Sequence, residues 1–207
     1  MNTLIFFCAF LIAVYAQLDF PSTSGNRIVA THQKMRMYMA KGAYYIQGQQ
    51  KPAATNMLKM AWDSTLAASA QTYANTCPNG PSGTTGIGEN MYDWYTTSPV
   101  SPLDGYVSFC SYYGLSSLTM SSSILASGVA DATQMAWAKT KLVGCGVANC
   151  GPDPAHSNKT RIAVVCHYSP KGNIIGEVIY EQGLSCSNCP TPTTCELDMG
   201  FPTGLCV

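Results

Sequence analysis

Residues Gly128–Cys150, GVADATQMAWAKTKLVGCGVANC, decide how this chain is read. The stretch places the Thr133–Gln134 pair, Trp137 and two closely spaced cysteines, Cys145 and Cys150, in one compact segment. Met135–Ala138 and Leu142–Val147 read as extended. Downstream, IAVVCHY at Ile162–Tyr168 has the β-branched enrichment of a buried strand. The strand-forming half of the chain therefore lies here, late in the sequence.

The earlier half reads differently. From Asn26, RIVATHQKMRMYMAKG has Ile28, Thr31, Met35 and Met39 at helical spacing, with Gly42 placed to end the helix. The methionines Met35, Met39, Met57 and Met60 read as core. Residues 43–56 are expected to be a loop. A second helix starts after Asp63, a good N-cap before STLAASAQTYANTC, with Leu66, Ala70 and Tyr73 on one stripe. PNGPSGTTGIGEN, residues 78–90, is rich in glycine and proline and reads as a loop. A weaker helix is expected over Leu103–Tyr113. Helices first, strands later and a cysteine-rich tail give an α+β chain.

Composition narrows the function. Eleven basic residues balance eleven acidic ones, which excludes the electrostatic footprint of a nucleic-acid binder or a polybasic membrane patch. The first sixteen residues, MNTLIFFCAFLIAVYA, carry no charge and resemble a secretory leader cleaved after Ala16. The expected division is a leader at 1–16, a main domain at 17–180 and a cysteine-rich extension at 181–207. No membrane span is expected once the leader is removed. Of ten cysteines Cys8 leaves with the leader, so nine stay, a density that implies a disulfide framework and export. An odd count leaves one thiol over. Asn158-Lys159-Thr160 is an N-glycosylation sequon beside the turn-rich GPDPAHS.

Taken in order, NMLKMAWD, GENMY, ATQMAWAKTKLVGCGVANC and VVCHYSPKGNIIGEVIY resemble the CAP superfamily: cysteine-rich secretory proteins, antigen 5 and pathogenesis-related proteins. The likeness is greatest to the small secreted SCP-like and venom-allergen-like proteins of nematodes, and it covers nearly the whole mature chain. It implies an α-β-α sandwich with a small antiparallel sheet and a short disulfide-rich extension. It also implies the pairings Cys77–Cys150, Cys145–Cys166, Cys186–Cys195 and Cys189–Cys206, which isolates Cys110. That residue is read as a small buried apolar group; the alternative is a free thiol that links two copies into a dimer.

Many members of the superfamily carry a cleft with two histidines and two glutamates. The resemblance sets His32 and Glu89 at the first two positions, and Asp131 and Phe109 where the second histidine and second glutamate stand. Two of four positions are altered, so the cleft reads as degenerate, with no catalytic set and no cofactor. A site for zinc or another divalent ion, with His32, Glu89 and Asp131 as ligands, is the alternative. Without metal, these three groups are expected to hydrogen-bond one another. His156 is expected to be solvated, and His167 to be a packing or solvent-facing residue. Tyr92, Trp94 and Tyr95 either line a binding surface or pack on the sheet. The function read from all this is a secreted, extracellular, non-enzymatic protein that binds a partner. Sterol or lipid carriage and a hydrolase using Glu89 and His32 are the alternatives.

Overall fold

A computed structural model describes residues 24–46, 48–98 and 118–207. The leader, the helix expected over 103–113, Phe109 and Cys110 lie outside the described residues.

Helix α1 (Ser24–Ala40) stops where Gly42 turns to φ 63°, with the Gly42 N–H on the Met39 carbonyl and the Ala43 N–H on that of Tyr38. Its buried line is Ile28, His32, Arg36 and Met39. Of the stripe expected through Ile28, Thr31, Met35 and Met39, the first and last are buried and Met35 packs half-buried on the core, but two polar residues, His32 and Arg36, also face inward. They can do so because their polar atoms find partners inside. The Arg36 guanidinium makes six hydrogen bonds to the carbonyls of Leu58, Met135, Trp137, Ala138 and Thr140. Burial pulls its pKa down to about 9, which leaves it charged at neutral pH.

The 43–56 stretch holds a two-residue pairing of β1 (Tyr45–Ile46) with β2 (Gln49–Gln50). The main sheet contains β3 (Ala61–Trp62), β4 (Gly88–Thr96), β5 (Leu142–Asp153) and β6 (Lys159–Ser169), in the order β3-β5-β6-β4. The long pairs β5–β6 and β6–β4 are antiparallel. Alternation along the strands gives the sheet two different faces. Val143, Cys145, Val147, Ile162, Val164 and Tyr168 pack with Ile28 of α1 and with Met135. Ala148 and Val165 pack with Ala70 and Ala74 on the other side. These last two belong to α2 (Ser64–Ala74), whose first turn is capped by the Asp63 carboxylate on the Leu66 N–H at 2.8 Å.

Helix α2 lies directly on β5. A Cβ at Gly144 would fall 2.1 Å from the Ala67 nitrogen, and one at Gly146 would fall 2.3 Å from the Gln71 backbone. The Gln71 carboxamide then locks the contact, donating to the Val147 carbonyl and accepting its N–H. The architecture is the α-β-α sandwich implied by the resemblance.

Among the described residues, two short helices lie between β4 and β5, α3 (Ser122–Ala126) and α4 (Ala130–Ala136). Met135 and Ala136 are therefore helical, where an extended segment was expected, and the chain leaves the helix only at Trp137, ψ 110°. The run is buried throughout, so its side chains carry no periodicity by which helix and strand can be told apart. The tail forms a hairpin of β7 (Cys195–Asp198) and β8 (Phe201–Cys206). Disulfides join Cys186 to Cys195 and Cys189 to Cys206 there, and Cys77 to Cys150 and Cys145 to Cys166 in the sandwich.

Candidate functional site

The cleft lies at the end of the sheet where β4 begins. A cavity of about 450 Å³ opens between the 81–88 segment, α4 and the 171–173 segment. Its walls carry glycine backbone, the hydroxyls of Ser82, Thr84 and Thr85, the amides of Gln134 and Asn173, and Glu89. The wall is close-packed at two glycines: a Cβ on Gly88 would fall 2.1 Å from Gln134 Oε1, and one on Gly172 would fall 2.7 Å from Trp137. Gln134 accepts the Gly172 N–H at 2.9 Å and donates to Thr140, so the Thr-Gln pair of the opening motif is a scaffold element.

The sheet divides the polar residues of this region into two sets. Glu89 stands opposite His167 in the β4–β6 register, and both face α2. The Glu89 carboxylate accepts from His167 Nε2 at 3.0 Å and from the Ser82 N–H at 2.8 Å. On its other side the ring hydrogen-bonds the Ser69 hydroxyl of α2, with Nδ1 3.1 Å from the oxygen. Burial pushes the Glu89 carboxyl up, but the bonds from His167 and Ser82 outweigh it and hold its pKa below the ordinary value.

Asn90, the next residue, points to the opposite face. His32 Nδ1 donates to the Ile28 carbonyl at 2.8 Å, so its Nε2 accepts from the Tyr168 hydroxyl at 3.0 Å. The Tyr168 oxygen accepts in turn from Asn90 Nδ2 at 3.1 Å, and that same amide donates to the Asp131 carbonyl. Burial drops the His32 pKa to about 4, so the ring is neutral.

His32, Glu89 and Asp131 therefore do not form the mutual network expected of them. His32 is fully buried with α1, and the body of the sheet separates it from Glu89. Asp131 contributes its main-chain oxygen to the His32 set, while its carboxyl feels the Glu89 charge. Burial, then that charge, raise its pKa to about 7. Nor do the three residues fit a metal ion. Both His32 nitrogens are engaged internally, and Glu89 already holds His167 and Ser82. Among the described residues, the one group of three ligand atoms within 4.8 Å is Cys186, Cys189 and Cys206, whose sulfurs are in disulfides.

The sequence reading missed His167 as the partner of Glu89. Strand parity carried the signal: once β4 is set against β6, an inward Glu89 and an inward His167 must share a face. Ser69, His167 and Glu89 also form the hydroxyl–imidazole–carboxylate order of an acyl-transfer triad, which the sequence did not reveal. Here His167 is only 1% exposed beneath α2, so a substrate carbonyl cannot reach the base. The trio braces Glu89. Of the three aromatics, Tyr92 and Trp94 pack against the α1 side of the sheet, and Tyr95 stacks on His156, ring centroids 3.6 Å apart. His156 is about half exposed and paired with Asp153.

The family model of the cysteine-rich secretory proteins, CAP, matches residues 29–168. The chain belongs to this family. Among curated proteins, this CAP chain is 31% identical over 201 residues to human peptidase inhibitor 16, covering 95% of this chain and 42% of the relative. It is 30% identical over 200 residues to the cysteine-rich venom protein of Tityus serrulatus, covering 86% of this chain and 44% of the relative. The chain thus spans less than half the length of these two relatives. Among solved structures, it is similar to BmVAL-1, with a TM-score of 0.74 and 33% identity, covering 90% of this chain and 95% of that one. It is similar also to NaASP2 solved with zinc, with a TM-score of 0.73 and 28% identity, covering 90% and 96%. CAP membership and the α-β-α layering agree with what the sequence motifs implied.

Proposed function

We propose that this CAP protein is secreted and acts outside the cell by binding a protein partner at the rim of the cleft, without catalysing a reaction. One observation carries the reading: both oxygens of Glu89, the acid at the cleft floor, are taken up by the Ser82 N–H and the His167 ring. A carboxylate held in this way is a poor general base, because two donors stabilise its charged form. The cleft around it offers exposed glycine backbone, hydroxyls and Lys171, a surface suited to hydrogen-bonding a polypeptide. The uncharged leader and the disulfides support export. A relative named as a venom protein is in keeping with it.

The alternatives are weaker on physical grounds. A hydrolase built on Glu89 and His32 needs both groups on one side of the sheet. A lipid carrier needs a continuous apolar groove, whereas here the aliphatic side chains Ile87 and Leu125 are interrupted by hydroxyls, amides, Glu89 and Lys171. The test is a panel of ester, peptide and glycan substrates applied to wild type, Glu89→Gln and Ser69→Ala, alongside mass spectrometry of lipids extracted from the secreted protein. The expected result is no turnover and no stoichiometric lipid. Turnover abolished by Glu89→Gln overturns the non-enzymatic reading, and one lipid per chain replaces it with carriage.

A further inference from the structure

The sequon Asn158-Lys159-Thr160 occupies a well-defined turn. Strand β5 ends at Asp153, one turn of 3-10 helix spans Pro154–His156, and β6 starts at Lys159. Ser157 and Asn158 both have positive φ, 57° and 56°. The backbone of the turn is tied down by the Asn158 N–H on the Asp153 carbonyl at 2.9 Å. The Asp153 carboxylate also accepts the Ala155 N–H and pairs with His156, whose ring lies on Tyr95. The Asn158 side chain itself is exposed, as are Pro154 to Lys159 around it. Among the described residues its carboxamide has no hydrogen-bond partner.

The position of this turn matters as much as its exposure. Thr160 pairs with Thr96 at one end of the β4–β6 ladder, and His167 pairs with Glu89 near the other. Seven steps along the strand separate the two pairs, roughly 23 Å at the usual rise. The sequon therefore sits at the end of the sheet remote from the cleft.

We infer that Asn158 carries an N-linked glycan, and that the glycan covers the end of the sheet opposite the partner-binding cleft. In the transfer, Asn158 Nδ2 attacks the anomeric carbon of an oligosaccharide carried on a lipid pyrophosphate. The C–N bond forms as the C–O bond to the pyrophosphate breaks, the lipid pyrophosphate departs, and the amide gives up one proton. A bulky, solvated sugar at this turn blocks protein contacts around Tyr95 and His156 and leaves the 81–89 rim open. The inference rests on the proposed export of the chain, since the modifying enzyme works in the secretory lumen.

The test uses the full chain with its own leader, made in an animal cell line and analysed by intact mass with and without peptide-N-glycosidase. Wild type and Thr160→Ser recovered from the medium should carry a mass excess that the enzyme removes while converting Asn158 to aspartate. Asn158→Gln and Thr160→Ala should lack it. Hydrogen exchange should be slower at residues 153–160 with the glycan present and unchanged at 81–89. Unmodified Asn158 in protein from the medium overturns the inference and leaves export standing. Unmodified protein confined to the cytosol overturns both. A glycan that alters exchange at 81–89 overturns its placement away from the cleft.

Discussion

Replacing Arg36 with methionine should be among the costliest single changes in this protein. The side chain is fully buried, and its guanidinium gathers five carbonyls from two stretches, Leu58 and residues 135–140. After removal, the Trp137 carbonyl keeps the Thr140 N–H and the Ala138 carbonyl keeps the Leu58 N–H. The carbonyls of Leu58, Met135 and Thr140 keep no donor among the described residues. A buried unsatisfied group costs about 1–3 kcal/mol, so three give roughly 3–9 kcal/mol before relaxation. Removing a buried charge from the folded state offsets part of this, which leaves a net loss of about 4 kcal/mol for Arg36→Met. Arg36→Lys keeps the charge but not the planar fork, and should lose about 2 kcal/mol. The assay is equilibrium unfolding in guanidinium with the disulfides intact, followed by tryptophan fluorescence. An Arg36→Met protein within about 1 kcal/mol of wild type, or no more damaged than Arg36→Lys, refutes the reasoning.

Three further outcomes follow from the site. His32 binds its proton at about pH 4 when folded and at 6.5 when free, so stability should fall as pH drops from 6.5 to 4, by roughly 3 kcal/mol in all. His32→Gln should flatten that limb of the denaturation profile. Asp131 behaves in the opposite sense: its carboxyl titrates near 7 instead of 3.8, so stability is lost as pH rises through that window. Asp131→Asn should therefore raise the melting temperature at pH 8 and leave it nearly unchanged at pH 4; equal shifts at both would contradict the assignment. Calorimetric titration of the demetallated protein with zinc should show no micromolar site, and a saturable site lost on Asp131→Asn or Glu89→Gln would contradict the fit argued above.

The layers of the fold were legible because CAP motifs, cysteines and strand composition all pointed one way. Asp63 as a cap and IAVVCHY as a strand are local signals, and local signals read well. Two things misled. Helical spacing found Ile28, Met35 and Met39 on the core side of α1 but not His32 and Arg36 between them, because a hydrophobicity count cannot foresee carbonyls converging on an arginine. The cleft was misassembled for a similar reason. The resemblance put His32 and Glu89 in one cleft, yet which side of the sheet Glu89 faces depends on register, and register is a long-range property. Once β4 is set against β6, His167 replaces His32 as the partner of Glu89. Phe109 and Cys110 lie outside the described residues.

The central claim is that the sheet places His32 and Glu89 in two different hydrogen-bonded sets, leaving a braced Glu89 in the cleft. Long-range ¹H–¹⁵N spectra of the three histidines, recorded against pH in wild type and Glu89→Gln, test it most directly. The account predicts that His32 is the Nδ1–H form, stays neutral down to about pH 4, and is unmoved by Glu89→Gln, while the His167 ring nitrogens shift. A His32 that titrates near 6.5 and responds to Glu89→Gln, with His167 unaffected, would contradict it.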